Sequence, residues 1–212
     1  MRRASPLAVA ALAALAGPAG AHPHVFVDAT AGFLLDDRAR LAGLRISWTY
    51  DAFTSLVLFD TLGLDADRDG RLDDADRAAI VAGETDWPPG YDGDVHLDRG
   101  GAPVALGRPR DGRAWLEGDR IAVAFDLPLA EPLAAPGGVR LRLYDPTYYF
   151  DYTVVALDDP APGPCRARLD PFEPDAADAA LLATLAALSR EETPARADVG
   201  ALFADEVTLR CD

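Results

Sequence analysis

The chain has 212 residues and carries 35 acidic against 20 basic side chains, a formal charge of −15. This acid excess argues against a nucleic-acid partner, whose phosphates demand a basic face, and against anionic membrane surfaces. It is compatible with cations as partners. Every basic residue is Arg and none is Lys, which reads as composition bias and carries no function.

Arg2 and Arg3, the apolar run Leu7–Ala16 and the small residues Ala19-Gly20-Ala21 have the layout of a secretion signal cut after Ala21. Cleavage removes two Arg and no acid, so the charge of residues 22–212 is −17. That length suits one domain with a real core. No later stretch reaches the ~18 apolar residues of a membrane span.

The mature chain would begin His22-Pro23-His24-Val25-Phe26-Val27, with a free amine on His22. After Pro23 the residues alternate as a strand, which places His22, His24 and Asp28 on one face. Imidazole and amine nitrogens suit zinc, copper and nickel. Pro23 has no N–H, so the square-planar mode that uses deprotonated backbone amides is closed. What remains is chelation by the His22 amine and imidazole with His24, completed by Asp28, His96 or a carboxylate from elsewhere.

Val25–Leu35 and Leu41–Tyr50 are predicted strands joined at Asp36-Asp37, and the second alternates cleanly from Leu44 to Tyr50. The period then becomes helical from Asp51, a good N-cap, to Leu62. Residues 65–76 fit the twelve-residue calcium loop of an EF-hand. Asp65, Asp67 and Asp69 stand at positions one, three and five, Gly70 at the sharp turn, and Arg71 at the carbonyl position. Asp73 is at the water-mediated position and Asp76 at the last. Asp76 is one methylene shorter than the usual Glu, which should weaken calcium or favour magnesium. A second helix is expected from Asp73 or Asp74 to about Ala82, ended by Gly83 and then Pro88-Pro89.

Short strands follow. Val95–Leu97 and Pro103–Leu106 flank Arg99-Gly100-Gly101, and Ala114–Glu117 and Arg120–Leu127 flank Gly118-Asp119, both hairpin signals. His96 shares a face with Asp94 and Asp98. Val139–Tyr144 and Tyr152–Leu157 are further strands, and the stretch Asp145–Tyr152 packs four aromatics and two acids together. Residues 158–164 form a Pro-rich loop. Asp175–Leu188 is an amphipathic C-terminal helix, Ala197–Ala204 a short one, and Val207–Cys211 a last extended segment. Cys165 and Cys211 are the only cysteines, and an even count in an exported chain reads as a disulfide.

The fold class is therefore α+β: a mostly antiparallel sheet in one domain over residues 22–212, with an EF-hand-like helix-loop-helix insertion at 51–84 and a C-terminal helix. No phosphate loop and no serine nucleophile elbow appear.

Four motifs in this order resemble one family: His22-Pro23-His24-Val25-Phe26-Val27, Ser47-Trp48-Thr49-Tyr50-Asp51, the acidic loop Asp65–Asp76, and Tyr144-Asp145-Pro146-Thr147-Tyr148-Tyr149. Together they are similar to the bacterial domain-of-unknown-function family 1007, across essentially the whole mature chain. Members are described as periplasmic components of an uncharacterised ABC-type transport system, often encoded beside nickel/cobalt-type permeases. The resemblance implies a metal-handling accessory role beside an inner-membrane metal permease, and supplies no catalytic residues.

The expectation is a periplasmic binding protein for a divalent transition metal, not an enzyme, with a separate calcium or magnesium site. Two rival readings stand beside it. One is a copper histidine-brace enzyme, which needs a third nitrogen ligand such as His96. The other is a calcium-stabilised adaptor without transition metal.

Overall fold

The computed structural model describes residues 22–134, 138–158, 165–189 and 192–211. The expected signal, residues 1–21, lies outside the described residues. Among the described residues ten strands form two five-stranded sheets. The first has the order β5-β6-β2-β1-β8 and the second β4-β3-β7-β10-β9. In the first sheet β1 is Val25–Leu35, β2 Leu41–Tyr50, β5 Arg110–Glu117, β6 Arg120–Leu133 and β8 Phe150–Leu157. In the second β3 is Val95–Arg99, β4 Ala102–Pro103, β7 Val139–Leu143, β9 Cys165–Asp170 and β10 Glu206–Cys211.

Inward residues of both sheets form one core. Val27, Ala29, Leu44, Ile46, Trp48, Val123 and Phe125 from the first sheet join Val95, Leu97, Leu141, Val207 and Leu209 from the second. β3 and β7 follow the two-residue period, with polar residues on the opposite face, whereas β6 is buried continuously from Ile121 to Leu127. Trp48 meets Phe125 edge-on at 4.9 Å between centroids. On the outer face of the first sheet, Arg45 grips Asp126 through Nε at 2.7 Å and Nη2 at 2.9 Å, directly across the β2–β6 pair.

Both hairpin signals hold. Gly100 and Gly101 take φ of 61° and 85° between the paired Arg99 and Ala102, as a two-residue primed turn requires. Gly118, φ 66°, turns β5 into β6 between Glu117 and Arg120. The sheets are antiparallel except for β1 and β8, which run parallel with Val25 opposite Phe150.

Among the described residues three α-helices decorate this frame. Helix α1, Ala52–Leu62, starts at Asp51, whose carboxylate accepts from Thr54 N at 2.9 Å, and ends at left-handed Gly63. It packs through buried Ser55, whose hydroxyl accepts from Ile121 N at 2.9 Å, and through Leu58 and Phe59. Helix α2, Asp74–Thr85, carries a capping box made by Asp73 and Asp76. It runs past the expected stop at Gly83. Thr85 Oγ1 donates to Val81 O and Trp87 Nε1 to Glu84 O, so local side-chain bonds hold the last turn before Pro88. It lies close against β5, since a Cβ on Gly112 would come within 2.5 Å of Val81 Cγ1. Helix α3, Ala176–Ala186, begins at the Asp175 cap and covers a small second cluster of Tyr148, Leu185, Val199 and Phe203.

Several boundaries differ from expectation. β6 extends to Leu133 through a register shift at Pro128, and β4 is confined to two residues. β9 had no signal of its own. Its Cys-Arg-Ala-Arg-Leu-Asp is stabilised by pairing with β10, and Cys165 and Cys211 are direct cross-strand partners joined by a disulfide. A disulfide fits an oxidising compartment. Among the described residues no helix is long and apolar enough to cross a membrane.

Candidate functional site

The start of β1 is held from below by the Asp145–Phe150 turn. The Asp145 carboxylate accepts from Tyr149 N at 2.7 Å, Thr147 N at 2.9 Å and Phe150 N at 3.2 Å. This turn presents Tyr149 O to His24 N at 2.8 Å and to Val25 N at 3.2 Å. The aromatic stretch therefore acts as a cradle for the N-terminal histidines. The His24 ring lies 4.5 Å from the Tyr149 ring and 4.9 Å from the His22 ring, and the His22–Pro23 peptide is cis.

His22 is buried at 6 % exposure, and its Nδ1 has no hydrogen-bond partner among the described residues. A buried polar atom left without a partner costs about 1–3 kcal/mol. Two imidazoles bound to one tetrahedral ion, with bonds of ~2.0–2.1 Å, have centroids roughly 5 Å apart. The observed 4.9 Å matches that spacing and is equally that of an ordinary edge-to-face ring contact.

The other expected ligands are placed elsewhere. Asp28 accepts from Arg120 Nη1 at 2.8 Å, and the same guanidinium clamps the carbonyls of Thr49 and Tyr50. His96 stacks on Tyr144 at 3.7 Å, with Nε2 3.0 Å from Tyr144 O and Nδ1 3.7 Å from Asp92. Burial lowers the His96 pKa, opposed by its bond to the Tyr144 carbonyl. Neither Asp28 nor His96 joins His22 and His24 in a set of three ligand atoms within 4.8 Å.

The acidic loop between α1 and α2 does gather three carboxylates. Oxygens of Asp65, Asp67 and Asp69 lie within 4.8 Å of one another. Asp65 accepts from Asp69 N at 2.9 Å and Gly70 N at 3.2 Å, and Asp69 accepts from Arg71 N at 2.9 Å. Buried Leu64 and Leu72 fasten the loop to the core. Asp73 and Asp76 instead cap α2, accepting from each other's backbone N–H, and Asp76 reaches the loop only through Asp65 N at 3.3 Å.

One group of residues escaped the sequence reading. Asp94, 5 % exposed, accepts from Tyr152 OH at 3.0 Å and Tyr91 OH at 3.2 Å. Burial pushes its pKa up to about 7, while the two phenols partly offset this. Nearby, Tyr50 OH donates to Glu84 at 2.7 Å, tying α2 to the sandwich. Burial raises the Glu84 pKa and sends those of Tyr50 and Tyr152 well above the usual phenol value. Asp94 follows Tyr91-Asp92-Gly93 in a turn, and nothing local signals its burial.

No curated protein matches the chain, and no solved structure does. A family model matches residues 7–211, so the chain belongs to the family described as Protein of unknown function (DUF1007).

Proposed function

We propose that this protein is an exported accessory of a membrane transport system for a divalent transition ion, and that His22 and His24 form the heart of its binding site. The observation that supports this best is the buried His22 ring with an unpartnered Nδ1 beside the His24 ring. Cleavage after Ala21 would add the His22 amine to the same cluster. Calorimetric titration with zinc, nickel and copper(II) of the mature chain, of a form with one extra Gly before His22 and of His24→Ala tests the site.

The reading includes a second site, an EF-hand-like calcium or magnesium loop on Asp65, Asp67 and Asp69, with Arg71 O, Asp73 and Asp76 as further ligands. Three mutually close carboxylates repel one another, and a cation converts that repulsion into stabilisation. Millimolar calcium should raise the melting temperature, because an ion that binds only the native state stabilises it by mass action. Asp65→Ala and Asp69→Ala should each abolish the rise. A wild type whose melting temperature ignores both calcium and magnesium would reduce the loop to a turn.

The transport partner is assigned to the face of α1. Phe53, Leu56 and Val57 are 73 %, 67 % and 47 % exposed, an apolar set on an otherwise acidic molecule. This face is continuous with the histidine strand: Asp51, the cap of α1, bonds Phe26 in both directions, and Phe26 lies two residues beyond His24. A photo-crosslinker at Leu56 in intact cells should give an adduct that mass spectrometry identifies as a transport permease, and Phe53→Ser should abolish it without lowering the melting temperature. A self-adduct, or no adduct, would refute the assignment.

A calcium-stabilised adaptor without transition metal is the second reading. It is favoured by one observation: among the described residues no third His, Cys, Asp or Glu joins the two histidines. The same calorimetry separates the two readings.

A further inference from the structure

A cavity of about 550 Å³ lies away from the histidine pair, along the edge of β3. It exists because β4 covers only Asp98 and Arg99, leaving the rest of that edge to the connecting segment 104–108. The volume falls in the range of small-molecule sites.

Its charge is opposite to that of the chain. Arg108, Arg140 and Arg142 line it, together with Asp92 and Asp98. Arg140 is neutralised by Asp98 at 2.8 Å and Glu206 at 3.0 Å. Arg108 and Arg142 make no ion pair among the described residues. Arg108 donates to the carbonyls of Trp87 and Pro88, which leaves its charge uncompensated. Arg142 donates from Nη1 to Ala201 O at 3.4 Å, and its Nε is buried without a hydrogen-bond partner. Arg45 shows what the same Nε–Nη2 edge does when satisfied, since it holds both oxygens of Asp126. Asp92 and Asp98 share the cavity but pair with His96 and Arg140, so in a chain with 35 acids Arg108 and Arg142 stand there without a bonded carboxylate, a departure that asks for an anion.

Part of the wall is flat or apolar. Arg142 lies 5.2 Å from the centre of the Tyr144 ring, which is itself stacked on His96. Val104 and Leu106 contribute aliphatic surface. Such walls suit a ligand with a planar or apolar body rather than a bare ion.

We infer that this cavity is a binding site for a small organic carboxylate, with Arg108 and Arg142 holding its charge and Tyr144 and the aliphatic wall its body. The site is independent of the metal reading.

The test is thermal denaturation of the full mature chain, titrated with benzoate, succinate, inorganic phosphate or chloride at fixed ionic strength. Benzoate or succinate should raise the melting temperature saturably, above phosphate and chloride. Arg142→Gln and Arg108→Gln should each raise the half-saturating concentration at least tenfold. Arg108 lies outside the strands, so R108Q decides the matter if R142Q fails to fold. Equal shifts with all four anions, no shift, or variants that match the wild type would overturn the inference. Phosphate acting as strongly as the carboxylates would also overturn it, because the site would then select charge alone.

Discussion

Protein beginning at His22 should bind one zinc, nickel or copper(II) ion in calorimetric titration, and one extra Gly before His22 should weaken that binding at least tenfold, or about 1.4 kcal/mol. The added residue displaces the amine from its chelating position and leaves both imidazoles. His24→Ala should weaken binding by at least as much, because it removes an imidazole whose ring stands 4.9 Å from that of His22. Affinity should fall in acid for every form that binds, since the ligands must lose protons to coordinate. Tyr149→Phe keeps the ring beside His24 and the backbone cradle, so it should bind as the wild type does. If the mature, extended and His24→Ala proteins bind alike, the terminus is not the site and the adaptor reading takes its place.

The pH dependence of stability should carry the mark of Asp94. Its carboxyl is held up to about 7 in the folded protein, chiefly by burial, against an ordinary value of 3.8. Between those values the native state binds a proton that the unfolded state has lost. The contribution is therefore fully present below about pH 4 and is lost as pH rises through 7. A shift of this size corresponds to about 4 kcal/mol, at 1.36 kcal/mol per pH unit.

Urea denaturation of the wild type and of Asp94→Asn at pH 4.5 and pH 8 isolates this effect. The amide can still accept from Tyr152 and Tyr91 but does not titrate. The wild type should lose stability relative to D94N on going to pH 8. Carboxyls held below their usual value, such as Asp36 and Asp98, act in the opposite sense, and the comparison cancels them because both proteins contain them. Parallel profiles for the two proteins would show that Asp94 is ionised throughout.

What the sequence determined by itself is what short-range bonding controls. The Asp51 cap was readable because its carboxylate bonds a backbone N–H three residues ahead. The two glycine hairpins were readable because the turn needs positive φ at those positions. Alternation identified most strands, since one face of each sheet is buried. The histidine pair and the three acids of the loop were visible because their members are near neighbours in the chain.

The tertiary structure decided whatever depends on partners distant in sequence. β9 exists through its pairing with β10, and the parallel placement of β8 beside β1 brings Tyr149 to His24. Asp94 meets Tyr152 across 58 positions and Tyr50 meets Glu84 across 34, so neither burial nor a raised carboxyl could be read locally. Asp28 was drawn to Arg120 across 92 positions, away from the histidines with which alternation had grouped it. Period two states which side of the sheet a residue faces; only the packed fold determines which charge waits there, because a carboxylate is held by the nearest guanidinium whatever its distance along the chain.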